Sequence, residues 1–341
     1  MVRLFISLTI LQIIHCTTPP LAFDWNEFVS MIPLVDYFLP APSVPTILSS
    51  EGNEETAKWL YPYASASYCN SDQINGWNCP ACNDQNKLEK IQYIQSNDQN
   101  LSGFIGHRDG KIVISFKGLD GLVSLTKVFN PTTVDMQLNN GQTAQVHSEF
   151  YSTCQSIISN VVSSLEVVKN EYPDAPIYLT GHSLGGAVAL LASIELESKG
   201  IVGWDKLNVY TFGQPRVGDQ VFADFLNSRS GATFLRITNK SDMIPNLPPR
   251  LLSYTHHQYI ALYEDNKRQE CSKTEEEDKC FAFYSVFQIE QHGQYFGSKL
   301  SDNCAKSDLD LFIHGLSVVG DVAEDVGLSD FVYARIGMSL I

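Results

Sequence analysis

The stretch that decides the fold is residues 177–191, whose sequence is IYLTGHSLGGAVALL. It begins as a β-prone apolar run, passes through a Gly-x-Ser-x-Gly turn and continues as a helix rich in Ala and Leu. A tight turn from strand to helix leaves no room for bulk beside its central residue, and Gly181 and Gly185 meet that requirement. This order of elements is typical of a nucleophile elbow, in which Ser183 would stand exposed above a sheet. The simpler alternative is a helix start that Ser183 merely caps.

The residue after the serine is a candidate for binding negative charge. The helix expected to begin at Leu184 has free backbone N–H groups and a partial positive charge at its start. Both would face an oxyanion formed at Ser183. We therefore expect the backbone N–H of Leu184 to be one donor of an oxyanion hole.

The composition excludes several classes of protein. The chain has 341 residues, 44% of them hydrophobic, which allows one large α/β domain or two small ones. Its formal net charge of −15 would repel nucleic acids and anionic lipid surfaces, so no nucleic-acid partner is expected. Beyond the N-terminus no run reaches about 18 uncharged apolar residues, so no integral membrane span is expected.

The N-terminus has the pattern of a secretory signal. Residues 1–16 combine Arg3 with an apolar run over 4–14 that is too short to span a bilayer. We expect cleavage after Cys16 or Ala22 and a secreted, extracellular protein. The alternative is an uncleaved segment that serves as a membrane anchor.

The cysteine count fits an oxidising compartment. The seven cysteines beyond the signal are Cys69, Cys79, Cys82, Cys154, Cys271, Cys280 and Cys304. In a secreted protein this number predicts three disulfides and one free thiol. Cys154 is the expected free thiol because it lies on the apolar face of a predicted helix. A metal or redox site at Cys79 and Cys82 is the alternative, but a structural zinc site needs a second such pair, so no metal is expected.

Hydrophobic periodicity predicts strands that alternate with helices. Strands are expected at 101–106, 111–116, 177–180, 207–212, 233–237 and about 258–263, and helices at 54–67, 149–170, 184–198 and 220–228. The turn at 107–110 joins the first two strands into a hairpin. The remaining alternation predicts an α/β fold with a mostly parallel central sheet flanked by helices.

A serine nucleophile needs a histidine base that is oriented by a carboxylate. The downstream acids are Asp205, Asp219, Asp224 and Asp242. Asp242 is favoured because it follows a strand, and ligand chemistry in such sheets collects at the carboxyl ends of the strands. Asp219 lies near a helix start, where a carboxylate has the simpler role of complementing the helix dipole.

The residue pattern alone does not choose the base. His257, after a proline-rich bend, and His292, in a glycine-bearing turn, are equal candidates, with His256 and His314 behind them. His182 adjoins the nucleophile, but neighbouring side chains in an elbow diverge.

Three segments in combination resemble the class 3 fungal-type lipases, the Rhizomucor-like triacylglycerol lipase family. They are residues 180–191, 211–219 with the sequence TFGQPRVGD, and 242–249 with the sequence DMIPNLPP. The resemblance covers roughly residues 55–304 and implies the α/β-hydrolase fold and hydrolysis of carboxylic esters. It assigns Ser183 as nucleophile, Asp242 as acid and His292, in HGQYFG, as base. It places His256 on the substrate side of the pocket.

The same resemblance implies a disulfide pattern. The pairs are Cys69–Cys304, Cys79–Cys82 and Cys271–Cys280, which again leaves Cys154 free.

The resemblance also implies a second oxyanion donor, the backbone N–H of Leu119. The family typically has Ser or Thr at this position, with a hydroxyl that also serves the oxyanion. Losing one such donor costs on the order of 3 kcal/mol. The segment 119–130 corresponds to the family's lid, with an apolar side that could turn outward at an oil surface. The alternative is a helix that simply packs on the body of the protein.

These inferences give three regions and one leading function. The regions are a signal and cleavage region at 1–22, a hydrolase domain at 23–304 and an extension without an assigned role at 305–341. The expected function is that of a secreted lipase that forms an acyl-enzyme, uses no cofactor and acts on glycerides or other neutral esters at a lipid–water interface. A feruloyl-type or soluble-ester esterase and a catalytically weak lipid-binding protein are the alternatives. Asn100 and Asn239 begin candidate glycosylation sequons.

Overall fold

The computed structural model describes residues 49–98, 101–119, 131–239, 242, 244–264, 267–269, 289–302 and 304. The helices in these ranges are α1 (Glu54–Ala66), α2 (Ser71–Gly76), α3 (Ser148–Lys169), α4 (Leu184–Ser198) and α5 (Gln220–Asn227). The strands are β1 (Ser50–Glu51), β2 (Glu89–Gln95), β3 (Ser102–Arg108), β4 (Lys111–Phe116), β5 (Thr133–Gln137), β6 (Thr143–His147), β7 (Ile177–His182), β8 (Leu207–Phe212), β9 (Thr233–Asn239), β10 (Ile260–Glu264), β11 (Lys267–Gln269), β12 (Gln294–Tyr295) and β13 (Ser298–Lys299).

In the part of the chain that the structure describes, a nine-stranded mixed sheet forms the centre of the fold. Its strand order is β11-β10-β9-β8-β7-β4-β3-β2, and β1 pairs with the start of β9. The inner strands β4, β7, β8, β9 and β10 are parallel to their neighbours in that group. The outer strands β2 and β3 are antiparallel, and β11 is antiparallel to β10. This confirms the predicted α/β class and the predicted hairpin of β3 and β4.

Helices cover both faces of the sheet. Successive residues of a strand point to opposite faces, so the apolar residues of one strand contribute to both cores. Ile112 and Ile114 of β4 belong to the core under α3, α4 and α5, whereas Val113 belongs to the core under α1 and α2. The residues of α4 from 184 to 196 are all buried, so the helix that follows the nucleophile turn has no solvent-facing side in its first three turns.

The inner strands end together at one edge of the sheet. Phe116 of β4 is level with Gly181 of β7, which is level with Thr211 of β8 and then with Arg236 of β9. The loops that leave these strands therefore meet, and they carry Leu119, Ser183 and Asp242. This convergence positions the site.

The predicted helices and strands are present, with boundaries that coincide or differ by one or two residues. The sequence analysis missed β2, which is a mainly polar edge strand with a register irregularity, and the separate hairpin of β5 and β6. The proposed boundaries at 23 and 305 stay predictions, since the segments beyond them, the lid residues 120–130 and His314 lie outside the described residues. No helix in the described part of the chain is long and apolar enough to cross a bilayer.

Two disulfides connect four of the five described cysteines. Cys69 is bonded to Cys304, and Cys79 to Cys82. Cys154 is a free thiol, and burial raises its pKa, so it is held as a neutral, packed side chain. Cys271 and Cys280 lie outside the described residues.

Loss of the long-range disulfide should cost far more stability than loss of the short one. The bridges close chain segments with sequence separations of 235 and 3 residues. Loop-closure entropy then predicts that the Cys69→Ser, Cys304→Ser variant loses about 3–4 kcal/mol more free energy of unfolding than the Cys79→Ser, Cys82→Ser variant. Urea unfolding of both double variants measures the difference. Equal losses would show that loop closure is not what this bridge contributes.

Candidate active site

The turn between β7 and α4 has the backbone of a nucleophile elbow. Ser183 has φ 56° and ψ −125°, a conformation rare for a residue other than glycine and characteristic of strained functional turns. Its N–H donates to the carbonyl of Phe212 at 2.8 Å, which ties the turn to the end of β8. The Ser183 side chain makes no capping hydrogen bond to α4, whereas Asp219 does cap α5 through the N–H of Phe222. The simple helix-cap role therefore fits Asp219 and not Ser183.

The glycines of the turn are required by close backbone contacts. A Cβ on Gly181 would overlap the carbonyl of Gly185, and one on Gly185 would overlap the carbonyl of Phe116. The elbow can pack against the end of β4 only because these positions lack side chains.

Asp242 and His292 form a buried hydrogen-bonded pair. The distance between the Oδ2 atom of Asp242 and the Nδ1 atom of His292 is 2.8 Å, and their side chains are 0% and 5% exposed. The carboxylate places the imidazole proton on Nδ1, which leaves Nε2 as the acceptor. The Nε2 atom is buried and has no hydrogen-bond partner among the described residues. In a neutral imidazole this nitrogen can accept a proton, as a general base must.

The carboxylate of Asp242 is held at both oxygens. Its Oδ1 atom accepts a hydrogen bond from the N–H of Ile244 at 2.9 Å, and Oδ2 accepts the bond from His292. The wholly buried Tyr295 lies nearby, and desolvation together with the charge of Asp242 raises the pKa of its hydroxyl, which therefore stays neutral. The acid is thus oriented by main chain on one side and by its imidazole partner on the other.

The turn that carries His292 is held by side chains from two strands. Asn239, at the end of β9, donates its amide nitrogen to the carbonyls of Gln291 and Gln294. His182, at the end of β7, has its Nε2 atom 2.7 Å from the carbonyl oxygen of His292. Asn239 is buried, and its amide nitrogen is used inside the fold, so glycosylation at this candidate sequon stays a prediction that the packing disfavours.

The imidazole of His182 is neutral. Burial is the main cause that lowers its pKa well below 6.5, and the neighbouring His292 lowers it further. The carbonyl of His292 can only accept, so Nε2 carries the proton and Nδ1 accepts from the hydroxyl of Tyr68 at 2.7 Å. Both ring nitrogens are engaged, so His182 is not available as the base.

The candidate oxyanion loop packs against the elbow. A Cβ on Gly118 would overlap the hydroxyl of Tyr68 and the carbonyl of His182. This contact places the loop that carries Leu119 against the end of β7, just before Ser183. The side chain of Leu119 packs on the apolar core, so it supplies no polar group to the site.

The structure does not pair His257 with Asp242. The Nδ1 atom of His257 lies 2.9 Å from the carbonyl of Gln258, and the Nε2 atom of His256 lies 2.8 Å from the carbonyl of Pro245. Of the two equal candidates for the base, only His292 contacts the acid. His256 lies against the loop that follows Asp242, and its contact with substrate stays a prediction.

Arg216 is a structural member of the site that sequence reasoning missed. It is buried, and its Nη1 atom donates to the carbonyls of Asn246 at 2.5 Å and Pro248 at 3.1 Å. The sequence shows Arg216 within QPRVG (residues 214–218). Its hydrogen-bond partners, however, are backbone carbonyls about 30 residues further along the chain, which no pattern of side chains reveals. No cluster of side chains in the described ranges could hold a metal ion.

A side chain added at Gly213 should displace the imidazole of His292 and so reduce the reactivity of Ser183. A Cβ on Gly213 would lie 2.7 Å from the Cε1 atom of His292, so we expect Gly213→Ala to slow the phosphonylation of Ser183 by a fluorophosphonate on the order of 100-fold. Gly141→Ala is the matched control, because Gly141 also has a positive φ but open space around it. An equal loss in both variants would assign the effect to backbone strain.

Unfolding should take up protons near pH 6. Burial lowers the pKa values of His182, His256 and His257 well below 6.5, and unfolding restores them. The unfolded chain then binds about two more protons at pH 6, so stability is lost as the pH falls below about 6.5. Calorimetry in buffers of different ionisation enthalpy measures the uptake, with pH 8 as control. Uptake no larger at pH 6 than at pH 8 would contradict the three neutral imidazoles.

The family model and the sequence relatives of this chain are all lipases. Residues 113–252 match the family described as "Lipase (class 3)". The lipase of Rhizomucor miehei is 30% identical over 260 residues, which are 73% of this chain and 69% of that protein. "Secreted mono- and diacylglycerol lipase 1" of Fusarium solani is 28% identical over 210 residues, and the match spans 58% of this chain but only 60% of that protein.

Solved structures agree with the sequence relatives. The Rhizomucor miehei triacylglyceride lipase superposes with a TM-score of 0.64 at 25% identity, over 74% of this chain and 98% of that one. The lipase of Rhizopus microsporus var. chinensis superposes with a TM-score of 0.59 at 26% identity, over 76% and 96%. The chain has the α/β-hydrolase fold and belongs to the class 3 lipase family.

Proposed function

We propose that the protein is a secreted serine hydrolase that cleaves carboxylic esters, and most specifically a triacylglycerol lipase. The observation that carries this proposal is the buried pair of Asp242 and His292 beside the strained turn of Ser183. Such a constellation fits acyl transfer, since a serine hydroxyl becomes nucleophilic only when a positioned base accepts its proton.

The reaction follows from the roles of these groups. The Nε2 atom of His292 takes the proton of Ser183 as its oxygen attacks the ester carbonyl, and Asp242 stabilises the resulting imidazolium. The N–H groups of Leu184 and Leu119 bind the oxyanion. His292 then protonates the departing alcohol, and an acyl-enzyme forms. Water cleaves this acyl-enzyme by the same steps in reverse.

The names of the relatives support a glyceride as substrate. The relatives from Rhizomucor miehei and Fusarium solani are named a lipase and a secreted mono- and diacylglycerol lipase. The mature protein is acidic, so a neutral ester at a lipid–water interface suits it better than an anionic lipid.

Export of the protein is supported by three features of the chain and its relatives. They are the signal-like residues 1–16, the two disulfides, and the word "secreted" in the name of the Fusarium relative.

One observation favours a second function, lipid binding with little turnover. Leu119 packs its side chain on the apolar core, so the oxyanion loop offers only a backbone donor at this position. Titration with a fluorophosphonate separates the two functions. Labelling of Ser183 supports the hydrolase, and folded protein that resists labelling supports the binding function.

Replacing the nucleophile should abolish turnover. We expect Ser183→Ala to lower kcat for a p-nitrophenyl ester by about 10⁴–10⁶-fold while leaving the fold intact. Ser193→Ala is the matched control, because Ser193 is a buried serine of α4, the helix that follows Ser183, and its hydroxyl bonds only the carbonyl of Leu190 among the described residues. Turnover that survives in the Ser183 variant would overturn the proposed site.

The ester class can be read from the same assay. Wild-type protein is given esters of increasing acyl length, below and above their solubility, beside a feruloyl ester. A preference for long chains with a rate jump above solubility supports the lipase. A preference for soluble short or feruloyl esters would replace it with an esterase.

A further inference from the structure

His182 connects the nucleophile turn to the turn of the base. It is the residue before Ser183, its Nε2 atom lies 2.7 Å from the carbonyl oxygen of His292, and the two imidazole rings are 4.3 Å apart between centroids. The side chain is therefore the direct link between the backbone of β7 and the backbone that carries the base.

The hydrogen bonds of His182 fix one tautomer of its ring. The hydroxyl of Tyr68 donates to Nδ1 of His182 at 2.7 Å, so the ring proton is kept on Nε2, where it meets the carbonyl of His292. Burial keeps the ring neutral. A neutral donor suits this place, since the base becomes an imidazolium in each half of the reaction and a second cation 4.3 Å away would oppose that charge.

The side chain of His292 needs such support. Among the described residues its side chain is hydrogen-bonded to Asp242 alone, at Nδ1, and a single bond allows the ring to pivot and move Nε2. The backbone of the turn is held by Asn239 on the side of β9. His182 holds it on the side of β7, next to the nucleophile.

We propose that His182, with its tautomer set by Tyr68, is a positioning residue that aims the Nε2 atom of His292 at Ser183. The proposal rests on the proposed ester hydrolysis and adds a residue to it. His182 exchanges no proton with substrate, and its contribution is the fixed carbonyl of His292.

Two substitutions of His182 separate the hydrogen bond from the bulk of the ring. His182→Phe keeps an aromatic ring but removes the donor, and it should lower kcat per titrated active site on the order of 100-fold. His182→Gln keeps an N–H at a similar reach, and it should remain within about fivefold of wild type, the factor that one neutral hydrogen bond is worth. KM for a short soluble ester should change by less than about twofold in both. Counting turnover per site, with fluorophosphonate labelling run to completion, removes unfolded protein from the comparison.

A second pair of variants tests the role of Tyr68. Tyr68→Phe removes the hydroxyl that sets the tautomer of His182, and kcat should fall about five- to tenfold. Tyr63→Phe is the matched control. Tyr63 is a buried tyrosine of α1 whose hydroxyl has no hydrogen-bond partner among the described residues, so kcat should not change.

Proton NMR gives a readout that does not depend on turnover. The Nδ1 proton shared by His292 and Asp242 should appear far downfield in wild type and in His182→Gln, and it should broaden or vanish in His182→Phe. If wild type hydrolyses no ester, the proposed function fails, and this resonance still tests the positioning.

A His182→Phe protein with wild-type kcat per site, or with the resonance unchanged, would overturn the proposal. A His182→Gln protein as impaired as His182→Phe would overturn it as well.

Discussion

The rest of the site depends on the buried hydrogen bond between Asp242 and His292. Its partners are 50 residues apart in sequence and almost fully removed from solvent. A carboxylate in such surroundings is costly unless its oxygens are hydrogen-bonded. The N–H of Ile244 and the imidazole meet that requirement and fix the tautomer of His292 together. The neighbouring loops can be understood as supports that keep this pair next to the strained turn at Ser183.

The fold was predictable because its signals are local. Alternating apolar residues and the glycines of the elbow specify strand, turn and helix within short windows, and the carboxyl-edge rule selected Asp242. The choice between His257 and His292 was not predictable by these means. Both follow Asp242 in turns, and only the packing of the 289–293 turn against β7 and β9 decides which imidazole reaches the carboxylate. The resemblance to a family supplied what local physics could not.

The residues that the sequence analysis missed share one property. His182, Asn239 and Arg216 are polar side chains that bond to backbone carbonyls far away in sequence. A carbonyl leaves no trace in the identity of its residue, so no pattern of side chains reports such a bond. His182 was set aside because it diverges from the nucleophile, and that divergence is what brings it to the carbonyl of His292.

The same arrangement explains why the site needs a firm frame. At acidic pH the burial of His182, His256 and His257 as neutral groups lowers the free energy of unfolding, and the positive φ of Ser183 strains the backbone. Tyr68, which sets the tautomer of His182, directly precedes Cys69. The bridge to Cys304 joins that segment to the chain just beyond His292. One covalent link thus holds together the two ends of the hydrogen-bonded chain that runs from Tyr68 through His182 to the backbone of the base.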